Sequence, residues 1–278
     1  MNKKVVCLGE IMMRLSPKEN KRLLQSDELK IYFGGAEANV AVLLANLGVD
    51  SYFATKVPEN LIGEMILRYL RGNNVKDDCI IKGGERVGLY YFEQGVGSRN
   101  STVTYDRKNS AMWEANVNEF DFESIFKDAD WFHVSGVTPA LGKNNIEIVK
   151  KATEYCKANG IKISIDLNYR KKLWSYPEFK EVMSELIRDA HLCIGWIDLL
   201  KDEKELSAIA FKNEEEEKEY FTRILTHMKK ELNVKYIATT IRTTPSTSRN
   251  SLRGFIFDGK EFINSDEFEF DIVDRVGA

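Results

Sequence analysis

The chain has 278 residues, enough for one large domain or two modest ones with a sizeable core, and its 43% hydrophobic and 30% charged residues are the balance of a globular protein. A formal net charge of −3 gives no global reason to bind nucleic acid or an anionic membrane, and no run of 18 apolar residues marks a transmembrane helix. Two lysines precede an apolar run at the N-terminus, but Glu10 and Arg14 break that run too early for a secretory leader. Cys7, Cys79, Cys156 and Cys193 are far apart, with no C-x-x-C pair, which reads as reduced, buried thiols in a cytoplasmic protein.

In chain order, residues 3–16 read as a strand, a glycine and a second extended piece. Gly34-Gly35 forms a turn into an apolar helix, with Val40, Leu43, Leu44 and Leu47 on one face and Gly48 as its stop. Residues 50–57 are a strand and 61–72 a helix ended by Gly72, so the order is βαβα and the sheet should be parallel. Residues 83–109 break that rhythm. Two short aromatic β segments there, around 88–94 and 100–107, predict an antiparallel insertion that residues 18–33 are candidates to join. The βα rhythm then resumes. Strands are expected at 129–136, 161–168, 191–196, 234–241 and 253–259, and helices at 144–160, 177–190 and 213–233. In the last helix the acids sit at the N-terminal end and the lysines near the C-terminal end, as the helix dipole favours, while Phe221, Leu225, Met228 and Leu232 form its apolar stripe.

A Walker A loop, a complete G-x-G-x-x-G, an H-E-x-x-H and a G-x-S-x-G are all absent. The scattered His133, His191 and His227 read as packing or surface residues, so a metalloenzyme or a Ser-His-Asp hydrolase has little support. What remains is a set of polar groups at strand ends, where open parallel sheets bind ligands. They are Gly34, Gly35 and Asn39; Ser135 to Thr138; Asp166, Asn168 and Arg170; Asp198; and Gly277 with Ala278.

Residues 34–48, G-G-A-E-A-N-V-A-V-L-L-A-N-L-G, resemble the first signature of the ribokinase-like, PfkB-type carbohydrate kinases, and D-R-V-G-A at 274–278 resembles the start of their second. Between them V-G-L-Y-Y, T-Y-D-R-K-N-S-A, H-V-S-G-V-T-P-A-L and S-I-D-L-N-Y-R-K-K-L-W look like the 2-keto-3-deoxygluconate kinase branch, in the correct order along nearly the whole chain. The resemblance implies an α/β fold, a ribokinase-like three-layer sandwich with a central mostly parallel sheet. It implies one domain over 1–278, with a small β lid formed from about 10–33 and 83–109. It also implies transfer of the γ-phosphoryl of ATP, with Mg²⁺, to a hydroxyl of a small sugar acid. Carried residue by residue, Gly34, Gly35, Asn39, Tyr90, Tyr105, Arg107 and Arg170 would bind the substrate, and Asn168, Asp198 and Arg242 the nucleotide. The lids of this family often pair between subunits, so a homo-oligomer through the lid is implied too. Arginine suits the carboxylate of such a substrate, because its planar fork matches a carboxylate. Arg14 stands where neutral-sugar members carry an acid, so it is either a second sign of an anionic substrate or a surface residue of the lid.

Three departures stand out. The family's N-x-x-E is G-W-I-D here, Gly195 to Asp198. Residues 239–251 match a nucleotide loop only loosely and read equally as a flexible polar loop. The family's catalytic Asp falls two positions after the equivalent of Ala278, so Gly277 and Ala278 would only open the anion hole. The chain therefore reads as part of a longer protein. The competing expectations are a kinase for fructose or a nucleoside, a catalytically dead sugar-acid binder, and a dinucleotide oxidoreductase. The last is disfavoured by the glycine spacing at 34–35.

Overall fold

A computed structural model describes residues 3–18, 21–96, 99–200, 211, 213–244 and 249–272. Its strands are β1 (Lys4–Leu8), β2 (Met12–Pro17), β3 (Leu29–Gly34), β4 (Asp50–Val57), β5 (Ile80–Lys82), β6 (Leu89–Glu93), β7 (Thr102–Asp106), β8 (Trp131–Ser135), β9 (Lys162–Asp166), β10 (Leu192–Ile194), β11 (Tyr236–Thr243), β12 (Arg249–Phe257), β13 (Phe262–Asn264) and β14 (Phe268–Asp271). The α-helices are α1 (Ala36–Asn46), α2 (Leu61–Gly72), α3 (Phe122–Phe126), α4 (Lys143–Ala158), α5 (Tyr176–Leu186) and α6 (Glu214–Leu232).

The main sheet runs β13-β12-β11-β10-β9-β8-β1-β4-β5, with β14 beside β12. It is parallel from β11 to β5 and antiparallel beyond β11. Alternation along β1 assigns its two faces, as the period of two in a strand requires. Val5 and Cys7 pack with Ala38 and Ala41 of α1 and with Ile66 and Leu70 of α2. Val6 and Leu8 belong to the larger core, which takes in Ile148 and Cys156 of α4, Phe179 and Met183 of α5, and Phe221 and Met228 of α6. On the α1 and α2 side of the sheet, Tyr236 of β11 and Ile256 of β12 are exposed. Four free, buried cysteines fit the expected reduced thiols.

A second sheet, β3-β2-β6-β7, is the lid. Its outer pairs are antiparallel, and β2 runs parallel to β6. It uses residues 12–17 and 29–34 with 89–93 and 102–106.

Two expectations need correction. The core face of α1 is built on Ala38, Ala41 and Val42, while Leu43 and Leu47 are 49% and 70% exposed. Small residues let this helix lie close to β1 and β4; Val40 and Leu44 pack at the margin of that contact, and Leu43 and Leu47 fall outside it. Most of residues 239–251 are not a flexible loop. Thr239 to Thr243 continue β11 and pair with Ser251 to Phe255 of β12.

Candidate active site

In chain order the strands run outward from β1 in two directions, to β4 and β5 on one side and to β8, β9, β10 and β11 on the other. The strand order reverses beside β1, and a crevice opens there at the C-terminal ends, where such sheets bind ligands. The lid adjoins that point, because β2 follows β1 after Gly9, Glu10 and Ile11. A cleft of about 840 Å³ lies between them. All seven residues expected to bind substrate line it: Gly34, Gly35, Asn39, Tyr90, Tyr105, Arg107 and Arg170. Asn168 lines it as well, with Met12, Val103, Val137, Lys171, Lys172 and Leu173.

Each is placed by local chemistry. Gly35 has ordinary extended backbone, but a Cβ there would overlap the carbonyl oxygen of Glu10, so close approach and not conformation demands the glycine. The Gly35 N–H donates to Asn39 Oδ1 at 3.4 Å, which folds the turn onto the first turn of α1. Tyr90 of β6 and Tyr105 of β7 are cross-strand partners with ring centroids 6.0 Å apart. Asn168 takes left-handed backbone (φ 35°), which asparagine tolerates better than most residues, and its N–H donates to Asp166 Oδ1 at 3.0 Å. Burial raises the Asp166 carboxyl above its ordinary value, against the lowering effects of the Asn168 N–H and the nearby Arg170.

The two cleft arginines differ. Arg107 is buried, and its Nε donates to Glu10 Oε2 at 2.9 Å; its Nη2 reaches the same oxygen, while Ser110 Oγ donates to Glu10 Oε1. This ion pair ties the end of β7 to the end of β1, and removing one partner from such a buried pair costs roughly 3–5 kcal/mol. Arg170 is exposed and makes no ion pair among the described residues. Lys172 Nζ donates to the Val103 carbonyl at 3.3 Å and so bridges the body to the lid. Arg14 is not a surface residue: it is 4% exposed, with its guanidinium 4.0 Å from the Tyr32 ring centroid and 5.7 Å from that of Phe92. It does not line the cleft.

The structure does not bring Asp198 or Arg242 into the cleft. Asp198 is buried on the side of α5 and α6, where Oδ1 accepts from the Leu200 N–H at 3.1 Å and Oδ2 lies 3.6 Å from Arg223 Nη2. Burial, with a smaller contribution from the nearby Asp198, pushes the Tyr176 hydroxyl up to about 12. Arg242 is exposed on β11, paired in register with Leu252 and three strands along the sheet from β8. Gly277 and Ala278 lie outside the described residues. Among the described residues no three His, Cys, Asp or Glu side chains gather as a metal-ligand set.

Sequence reasoning passed over Glu10, Glu37, Lys171 and Lys172. Glu10 had a signal, a charged residue interrupting an apolar run just after a strand.

Comparison with known proteins follows the same lines. Residues 2–237 match the profile of the pfkB family carbohydrate kinases. A 2-dehydro-3-deoxygalactonokinase of Haloferax volcanii is 34% identical over 186 residues, 67% of this chain and 58% of that protein. A 5-dehydro-2-deoxygluconokinase of Clostridium beijerinckii is 33% identical over 173 residues, 61% of this chain and 50% of that protein. The chain thus spans little more than half the length of the curated relatives it matches. The crystal structure of a 2-dehydro-3-deoxygluconokinase from Thermotoga maritima superposes with a TM-score of 0.91 at 38% identity, over 99% of this chain and 83% of that one. A cleft at the reversal of a mostly parallel sheet, a four-stranded lid over it and the family profile together make this chain a member of the PfkB family of carbohydrate kinases.

Proposed function

We propose that the chain belongs to an ATP-dependent kinase of sugar acids, with 2-keto-3-deoxygluconate as the substrate it fits best. The charge of the cleft carries this reading: Arg107, Arg170, Lys171 and Lys172 line it, and among the described residues no carboxylate does. Arg107 is already held by Glu10, so Arg170 is the guanidinium left to grip a substrate carboxylate. Tyr90, Tyr105, Asn39 and the amides of Gly34 and Gly35 supply hydroxyl partners. Asn168, at the end of β9, takes the nucleotide side.

In this reading the γ-phosphoryl of ATP passes to a substrate hydroxyl, and the protein's work is to place the two substrates and steady the spreading charge. Mg²⁺ comes with the phosphates and water, since the described residues offer no ligand set for it. The base is the family Asp expected two positions after Ala278, with Gly277 and Ala278 opening the anion hole. Free, buried thiols and ATP use suit the cytoplasm. We also infer that two copies pair through β3, where Leu29, Ile31 and Tyr32 lie exposed on a lid edge.

Competition calorimetry tests the substrate. The chain is expected to bind 2-keto-3-deoxygluconate, and excess fructose to leave that binding intact. Arg170→Ala should weaken binding of the acid about tenfold to a hundredfold, as loss of a hydrogen bond to a charged group predicts. Fructose outcompeting the acid would sink the acid reading. Acid binding with no ATP consumption by the whole protein would leave a binder in place of a kinase.

A further inference from the structure

Below the cleft lies a buried acid that substrate contacts do not use. Glu37 is the second residue of α1 and is 1% exposed. Its Oε1 accepts from the Ser135 N–H at 2.9 Å and from Thr138 Oγ1 at 2.8 Å. Its Oε2 has no partner among the described residues and rests against Gly9, where a Cβ would overlap the carboxyl group. The missing side chain at Gly9 is therefore the space that Glu37 fills. Three segments meet on this one carboxyl: the end of β1, the first turn of α1, and the Ser135–Thr138 turn after β8.

Two of those segments are walls of the cleft. The turn from β3 into α1 and the first turn of that helix carry Gly34, Gly35, Ala36 and Asn39, and the turn after β8 carries Val137. We propose that Glu37 is a positioning residue for sugar binding, clamping the Gly34-Gly35 wall to the Val137 wall and so fixing the spacing of the cleft floor. Burial raises its carboxyl above the ordinary value more than the Ser135 and Thr138 bonds lower it. Among the described residues the titratable side chain beside it is the Cys7 thiol, itself buried and pushed up. A glutamine keeps the acceptor oxygen and the shape, and should replace Glu37 with little loss.

The proposal rests on the sugar-acid reading for its ligand but not for its geometry, and two measurements separate them. Calorimetry with 2-keto-3-deoxygluconate, at a temperature where circular dichroism shows each variant folded, should find Glu37→Ala weaker by about tenfold or more. Glu37→Gln should stay within about threefold of wild type, a rescue that follows from keeping the acceptor oxygen. Hydrogen exchange without ligand should speed up together in 34–39 and 135–138 in Glu37→Ala, and in neither segment in Glu37→Gln. Should Glu37→Ala fail to fold, Thr138→Val removes one donor to the same oxygen and should weaken binding about threefold to tenfold. Native affinity in a folded Glu37→Ala, or in Thr138→Val, overturns the clamp. So does faster exchange in one segment alone. Wild-type protein that ignores the acid overturns the substrate reading instead, and the exchange result still decides the clamp.

Discussion

A carboxyl group sealed beneath a cleft is costly to ionise without a counter-charge, and Glu10 after β1 and Glu37 on α1 meet that cost differently. Glu10 has the Arg107 guanidinium against it. Glu37 has only neutral donors, and burial raises its carboxyl above the ordinary 4.5. The consequence for stability has a definite sign. From pH 4.5 up to the raised folded value, the folded chain binds more proton at Glu37 than the unfolded chain does. The stability from that site is complete below 4.5 and is lost as pH rises through the raised folded value. Glu37→Gln does not titrate, so its stability relative to wild type should climb as pH rises above 4.5, in urea unfolding at matched pH values. A difference that stays flat with pH would mean the folded carboxyl is ionised. Neither acid could be assigned its partner from sequence. The arginine that holds Glu10 lies 97 residues away and the Ser135 amide 98 from Glu37, so no local pattern carries the pairing. Gly34, Asn39 and Arg170 were legible because their residue types sit at strand ends, where the sheet itself converges.

Elements with strong end signals folded where their sequences say. In α2, Asn60 Oδ1 accepts from the N–H groups of Ile62 and Gly63 at 3.0 and 3.2 Å, satisfying two of the free donors of the first turn. Ser175 and Asn213 cap α5 and α6 in the same way. Asn60→Ala should cost about 1 kcal/mol and lower the melting temperature by roughly 2 °C, readable by calorimetric melting. An unchanged melting temperature would mean that water caps the helix equally well. Where periodicity is the only guide, the elements were less legible. The leucines of α1 outrank its alanines on any hydrophobic scale, yet Ala38 and Ala41 with Val42 face the core, because close packing on β1 and β4 favours smaller side chains there. Strands β5, β13 and β14 span only three or four residues, too few for alternation to declare itself.

On the scale of the molecule, the β insertion was visible as a break in the βα rhythm, but its sheet order was not. The parallel pairing of β2 with β6 joins segments about 75 residues apart, a match set by tertiary packing and not by local turns. That order leaves β3 as an outer strand of the lid, with Leu29, Ile31 and Tyr32 exposed along it. An unpaired apolar edge invites another strand, and a second copy of the same edge is the nearest supply. Ile31 is 48% exposed, so a lysine there disturbs little inside one chain but places two charges against each other in a paired edge. Sedimentation should find wild type as a two-chain species at tens of micromolar and Ile31→Lys as single chains of unchanged helix content. If wild type already sediments as one chain, pairing through β3 is wrong, and the edge is shielded in some other way. If Ile31→Lys still pairs, the contact lies on another surface. Either result also bears on the cleft, since Gly34 closes the same strand and lines the site.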